Sequence, residues 1–214
     1  MRDGEFRPAK QVFLLSPARC DGRRAKMLLS PTAEFTLAQR VAREGAPLGE
    51  VFSFLSGLYF RGKLAYAQSF GRATGDTPGA LIITTDRGLL PVDAIVTRED
   101  LIAFSCVDLA GRDERYTTPL RRDVAGLANS LGPSDRVVLL GSIATGKYVD
   151  MLLEAFGERL VFPSDFVGRG DMSRGGLLLR CVNEGRELSY EPVAGAVRHG
   201  KRPPKLVPLR KLRD

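Results

Sequence analysis

The run Gly141-Ser142-Ile143-Ala144-Thr145-Gly146-Lys147 has the G-x-x-x-x-G-K spacing of a phosphate-binding loop, in which backbone amides cradle phosphate oxygens and the lysine reaches toward them. Tyr148 stands where such a loop needs a Ser or Thr hydroxyl for magnesium, so metal-dependent triphosphate hydrolysis is not expected. What remains is a turn that caps a helix, or one that holds a phosphate without metal through Ser142, Thr145, Gly146 and Lys147. A second polar and flexible run, Gly168 to Gly176, places Arg169, Ser173 and Arg174 at a helix start. Arginine presents a planar, always charged fork suited to phosphate. Glycines inside a helix cost roughly 1 kcal/mol each relative to alanine, which implies close backbone approach by a ligand or by a neighbouring helix. In the second case Met172, Gly176 and Leu179 form its buried stripe. Asp86 is the candidate catalytic carboxylate, as a base or a transition-state stabiliser; its alternative is a pair with Arg87 or a turn cap. Ser16 and Arg19, just after the first apolar run, complete the candidate phosphate or nucleic-acid contacts with Arg87.

Between Ser56 and Phe70 the residues Tyr59, Gly62, Tyr66 and Phe70 share a helical face, with Arg61 and Lys63 leaving it. Aromatic and basic residues interleave in this way in single-strand binders, but a stripe at helical spacing reads as core. Three widely spaced cysteines and one histidine, His199, exclude a disulfide framework, a zinc finger and a histidine-dependent triad within the core. Cys106 and Cys181 fall in apolar runs and read as packed. No metal and no cofactor is expected.

Strands are expected at Gln11–Leu15, Ala80–Thr85, Arg136–Leu140 and Arg159–Phe162, each too uniformly apolar for an edge. Helical spacing covers Gly22–Leu29, Glu34–Arg43, Ser56–Phe70, Thr118–Leu131, Thr145–Phe156 and Ser173–Val182. Ala94–Val96 and Leu101–Val107 suggest a hairpin or an antiparallel edge strand. Strands separated by helices predict a single α/β domain over residues 1–190, with a mostly parallel sheet and helices on both faces. With 43% hydrophobic residues, the 214-residue chain can bury one sizeable core. The four candidate loops, after each strand, then lie at one sheet edge, where helix amides point outward and attract anions.

The net charge is +7, and residues 191–214 hold seven Lys or Arg against two acids, together with four prolines. They read as a basic C-terminal arm tracking a polyanion, or as a solvated terminus. No apolar run suits a signal peptide or a membrane span, so a reduced, cytoplasmic protein away from the membrane is expected.

Three segments, in order, resemble the YaaA peroxide-stress family. Leu14-Leu15-Ser16-Pro17-Ala18-Arg19 is similar to its opening strand and L-S-P-A-K turn, with arginine in place of lysine. Gly88-Leu89-Leu90-Pro91-Val92-Asp93 resembles its G-L-L-R-P-L-D run, one residue shorter, and Arg169-Gly170-Asp171-Met172-Ser173-Arg174 its R-G-x-M-x-R helix start. The middle of the chain also looks like small uncharacterised α/β domains of mobile elements. The resemblance implies an α/β fold with a basic cleft that binds DNA rather than RNA and protects cells from oxidative damage, a stress-response role. The combined expectation is a nucleic-acid-binding protein. Its alternatives are an enzyme acting on a nucleotide or phosphorylated small molecule in the same cleft, and a non-enzymatic adaptor binding through the tail.

Overall fold

Gln11–Leu15 (β1) is buried at every position, because it lies mid-sheet with helices on both faces. The computed structural model describes residues 9–72, 77–108, 113–144, 146–198, 200–204 and 206. After β1 come α1 (Arg23–Leu28), α2 (Thr36–Arg43), the short β2 (Ala46–Pro47), α3 (Leu48–Ser56), α4 (Leu58–Phe70) and β3 (Ala80–Ile83). Then follow β4 (Leu89–Pro91), β5 (Ile95–Val96), α5 (Arg98–Ser105), α6 (Glu114–Ser130), β6 (Arg136–Leu140) and α7 (Gly146–Phe156). β7 (Leu160–Pro163), α8 (Asp171–Glu184) and β8 (Tyr190–Pro192) close the order.

The main sheet runs β4-β3-β1-β6-β7-β8. Its inner pairs, β1 with β3, β1 with β6 and β6 with β7, are parallel, and both outer strands are antiparallel. This is a single α/β domain. The alternating faces of β1 explain why its strand is uniformly apolar: Phe13 and Leu15 enter one core with α1 to α5 and α8, whereas Val12 and Leu14 enter the other with α6 and α7. No helix among the described residues is long and apolar enough to cross a membrane.

Two expectations are corrected. Leu101–Val107 is not a strand: Arg98–Ser105 is helical, started by a capping box in which Thr97 Oγ1 accepts from the Asp100 amide and Asp100 Oδ2 accepts from the Thr97 amide. Ile95–Val96 does pair, but with β2 in a separate two-stranded ladder, and the antiparallel edges of the main sheet are β4 and β8. Of the segment 191–214, Glu191 and Pro192 belong to β8, Val193 is buried and Leu206 packs on the core; residues 207–214 lie outside the described residues.

The chain leaves β1 for β3 on one side and later returns to β6 on the other. The ends of β1 and β6 therefore mark the point where the winding reverses, the place where open α/β sheets leave a crevice.

Candidate functional site

Ser16 directly follows β1, and its amide donates to the Leu140 carbonyl at 3.2 Å, which ties the turn to the end of β6. Its other two polar groups face α4. Lys63 Nζ donates to the Ser16 carbonyl at 2.6 Å and to Ser16 Oγ at 2.9 Å. Lys63 belongs to the apolar stripe, spaced i, i+4, i+7 and i+11 as Tyr59, Lys63, Tyr66 and Phe70, and is 1% exposed. Its ammonium lies 4.7 Å from the Tyr59 ring centre and 4.6 Å from that of Phe60, a cation–π cradle. Burial pushes its pKa down to about 7, with Asp171 pulling it up and Arg174 pushing it down. The expectation that Lys63 leaves the packed face is thus overturned: its stem packs as a hydrophobe and its head has a dedicated acceptor.

Gly141 makes this closeness possible. A methyl group there would lie 2.6 Å from the Tyr148 hydroxyl and 2.9 Å from Ser16 Cβ. Tyr148 is buried beneath the loop, where its hydroxyl accepts from the Ser142 amide and donates to the Ser142 carbonyl, both at 3.1 Å. Burial raises its pKa. Tyr148 therefore occupies an amide that a phosphate would need. At the other end of the run a methyl on Gly146 would sit 2.9 Å from Asp150 Oδ2, an unfavourable neighbour for an anion. Thr145 and the side chain of Lys147 lie outside the described residues.

Ser16, Lys63, Ser142 and Tyr148 line a cavity of about 660 Å³ at the β1/β6 crevice, together with Arg19, Arg23, Arg24, Tyr59 and Asp171. Arg19 pairs with Asp21 at 2.8 Å, and Arg24 donates to the Phe54 carbonyl at 3.0 Å. Arg23 is exposed and has no ion-pair partner among the described residues. Tyr59 is buried, and its hydroxyl has no hydrogen-bond partner among the described residues. Arg174 is close enough to act on it, but a guanidinium only donates, so the Tyr59 O–H proton has no acceptor. Asp171, at the start of α8, is 72% exposed.

The other sequence candidates sit elsewhere. Asp86 lines a separate cavity of about 540 Å³ beside Cys106, Arg115 and Arg122. Its Oδ1 has no hydrogen-bond partner among the described residues, though it lies 4.0 Å from Arg87 Nε, the pairing the sequence offered as its alternative; burial raises its pKa, and Arg87 also pairs with Asp100. Arg169 donates to the Asp165 carbonyl at 2.9 Å and to Ser173 Oγ at 3.3 Å, in a groove against Arg202 to Pro204. Arg174 donates twice to the Phe166 carbonyl, at 3.2 and 2.9 Å, and its side chain is 14% exposed. The structure thus brings Ser16, Arg19 and Ser142 together, and leaves Asp86, Arg169 and Arg174 lining three other cavities. The close approach demanded at Gly175 comes from a helix: a methyl there would lie 2.7 Å from the Leu58 carbonyl. Met172 is exposed, and the buried face of α8 is Gly175, Leu177, Leu178 and Cys181.

Sequence reading missed Lys63, Arg23, Arg24 and Asp171 as site residues. A lysine at i+4 from Tyr59 and i−3 from Tyr66 was the available signal, since a cation inside an apolar stripe needs a partner. No family model, curated protein or solved structure matches this chain. The fold and the site define a class on their own terms: an α/β protein whose cavity opens where the winding of its sheet reverses, floored by a half-buried serine held by a buried lysine.

Proposed function

We propose that the protein takes a nucleotide or phosphorylated small molecule in the β1/β6 cavity and acts on it there. One observation carries this reading: the lining holds three guanidiniums against a single carboxylate, Asp171, in a space of about 660 Å³. That volume suits a nucleotide-sized ligand, and that balance suits an anion. Two segments behind the YaaA-family resemblance, 16–19 and 169–174, contribute Ser16, Arg19 and Asp171 to the same lining. The net charge of +7 supports a second reading, in which DNA supplies the anion and protection under oxidative stress is the outcome.

Calorimetric titration of AMP, adenosine and a short single-stranded oligonucleotide separates the readings. AMP is expected to bind about tenfold or more tighter than adenosine, with Arg23→Ala and Arg24→Ala each weakening it by about tenfold. Equal binding of AMP and adenosine, or of variant and wild type, refutes the anion pocket. Oligonucleotide binding with a steep salt dependence, and none of AMP, selects the DNA reading.

A further inference from the structure

We infer that Ser16 is a nucleophile and Lys63 its general base, so that the cavity hydrolyses a carboxylic ester or amide whose remainder carries an anionic group. The inference rests on the anionic-ligand reading of the cavity and adds the reaction. Three observations meet at one place. Ser16 Oγ lies 2.9 Å from Lys63 Nζ, within reach for proton transfer. The Ser16 carbonyl, 2.6 Å from the same nitrogen, fixes its direction: in the neutral amine one N–H stays on that carbonyl while the lone pair faces Oγ. Tyr59 lines the same cavity, and its buried hydroxyl has no acceptor among the described residues.

The chemistry balances as follows. Ser16 Oγ adds to the carbonyl carbon and its proton passes to Lys63 Nζ, while the carbonyl electrons move onto oxygen. Collapse breaks the bond to the alcohol or amine, which takes the proton back from the Lys63 ammonium. Water, deprotonated by Lys63 in turn, then attacks the acyl-serine and releases the carboxylic acid, and Ser16 recovers its proton. A base of this kind must be neutral near physiological pH, which an exposed lysine is not. Burial supplies that state. The charged and titratable groups facing Lys63 are Tyr59 on its own helix, Tyr148 from α7, and Asp171 and Arg174 from α8.

A fluorophosphonate probe tests the pair on the full-length protein, because phosphorus accepts the serine oxygen as fluoride departs. Intact mass and peptide mapping should show one adduct, on Ser16, absent in Ser16→Ala. The labelling rate should rise with pH through a midpoint at about 7 and then level. Lys63→Met, checked for folding by circular dichroism, should label at least about 100-fold more slowly and lose that midpoint. If that variant does not fold, the wild-type pH profile decides: a flat profile across this range overturns the inference. So does the absence of an adduct on Ser16, or equal labelling of Lys63→Met. AMP titration of the same wild-type sample keeps the two readings apart. AMP binding without labelling removes the nucleophile and leaves the pocket; labelling without AMP binding supports the nucleophile and removes the anion reading.

Discussion

A fully buried lysine is an expensive residue, and its cost has a sign that can be measured. An unfolded chain holds the Lys63 proton up to about its ordinary pKa of 10.5, whereas the folded protein sheds it at about 7. Between those values the unfolded state binds more protons, so the Lys63 contribution to stability rises with pH and is least favourable below 7. Cys20 works in the opposite sense from its ordinary value of 9.0, because burial pushes its pKa up to about 12 and the folded state keeps a proton that the unfolded state loses. The lysine therefore dominates between pH 7 and 9. Urea unfolding across this window should show the wild type gaining up to about 1.4 kcal/mol per pH unit. In Lys63→Met the slope should flatten, and the variant should be more stable than wild type at the acid end, where a methionine avoids burying a charge. Equal slopes in both proteins would mean that Lys63 titrates normally and that the cavity floor is wetter than its 1% exposure indicates.

At the scale of elements, the cavity depends on how closely α4 and α8 cross. A methyl on Gly62 would lie 2.7 Å from the Gly175 carbonyl, and one on Gly175 would lie 2.8 Å from Tyr59 Cα. The two helices thus touch backbone to backbone, and this contact holds Tyr59 and Lys63 against the β1 turn. Gly175→Ala should cost about 1–3 kcal/mol in thermal or urea unfolding, because neither backbone can yield cheaply. Gly126→Ala in the exposed face of α6, where a methyl meets nothing within 4 Å, should instead stabilise by about 0.5–1 kcal/mol. Much of this scale was legible in the residues. β1, β3, β6 and β7 announced themselves by unbroken apolar runs, and the shared edge of their following loops came from parallel connectivity. Leu101–Val107 is short enough for strand and helix patterns to coincide, and the capping box at Thr97 and Asp100 settles it as helix. What sequence could not supply was the pairing of distant segments. Ser16 and Lys63 are 47 residues apart, and their hydrogen bond follows from the fold of the intervening α1 to α3. Arg174 likewise had the right chemistry for phosphate, and only the fold shows its fork given to the Phe166 carbonyl.

For the molecule as a whole, the reversal of winding at β1 and β6 puts the candidate chemistry at one place and the described residues 202–204 and 206 at another. Arg202, Pro203, Pro204 and Leu206 line a groove with Arg169 and Gly176, while the β1/β6 cavity is lined by none of them. The segment is also packed: the Lys201 carbonyl lies where a Gly168 methyl would fall, at 2.1 Å, and a Gly200 methyl would meet Val167 Cγ1 at 2.5 Å. Removing residues 200–214 should therefore act on two quantities and spare a third. Lost packing at Leu206 and Gly168 should lower Tm by about 2–4 °C for each kcal/mol forfeited, leaving the sheet folded. Lost Lys and Arg should weaken a single-stranded oligonucleotide uniformly across sequences and make its salt dependence shallower, by about 0.7 in the logarithmic slope for each phosphate contact removed. AMP affinity should hold, since its cavity keeps every lining residue. Calorimetry of both ligands at several salt concentrations, on wild type and truncated protein, reads all three. An unchanged oligonucleotide slope would show that the tail touches no phosphate, and any nucleic-acid binding would then have to come from the cations of the body of the protein. A parallel loss of AMP would instead mean that the tail shapes the cavity from outside, and that the two regions are one site.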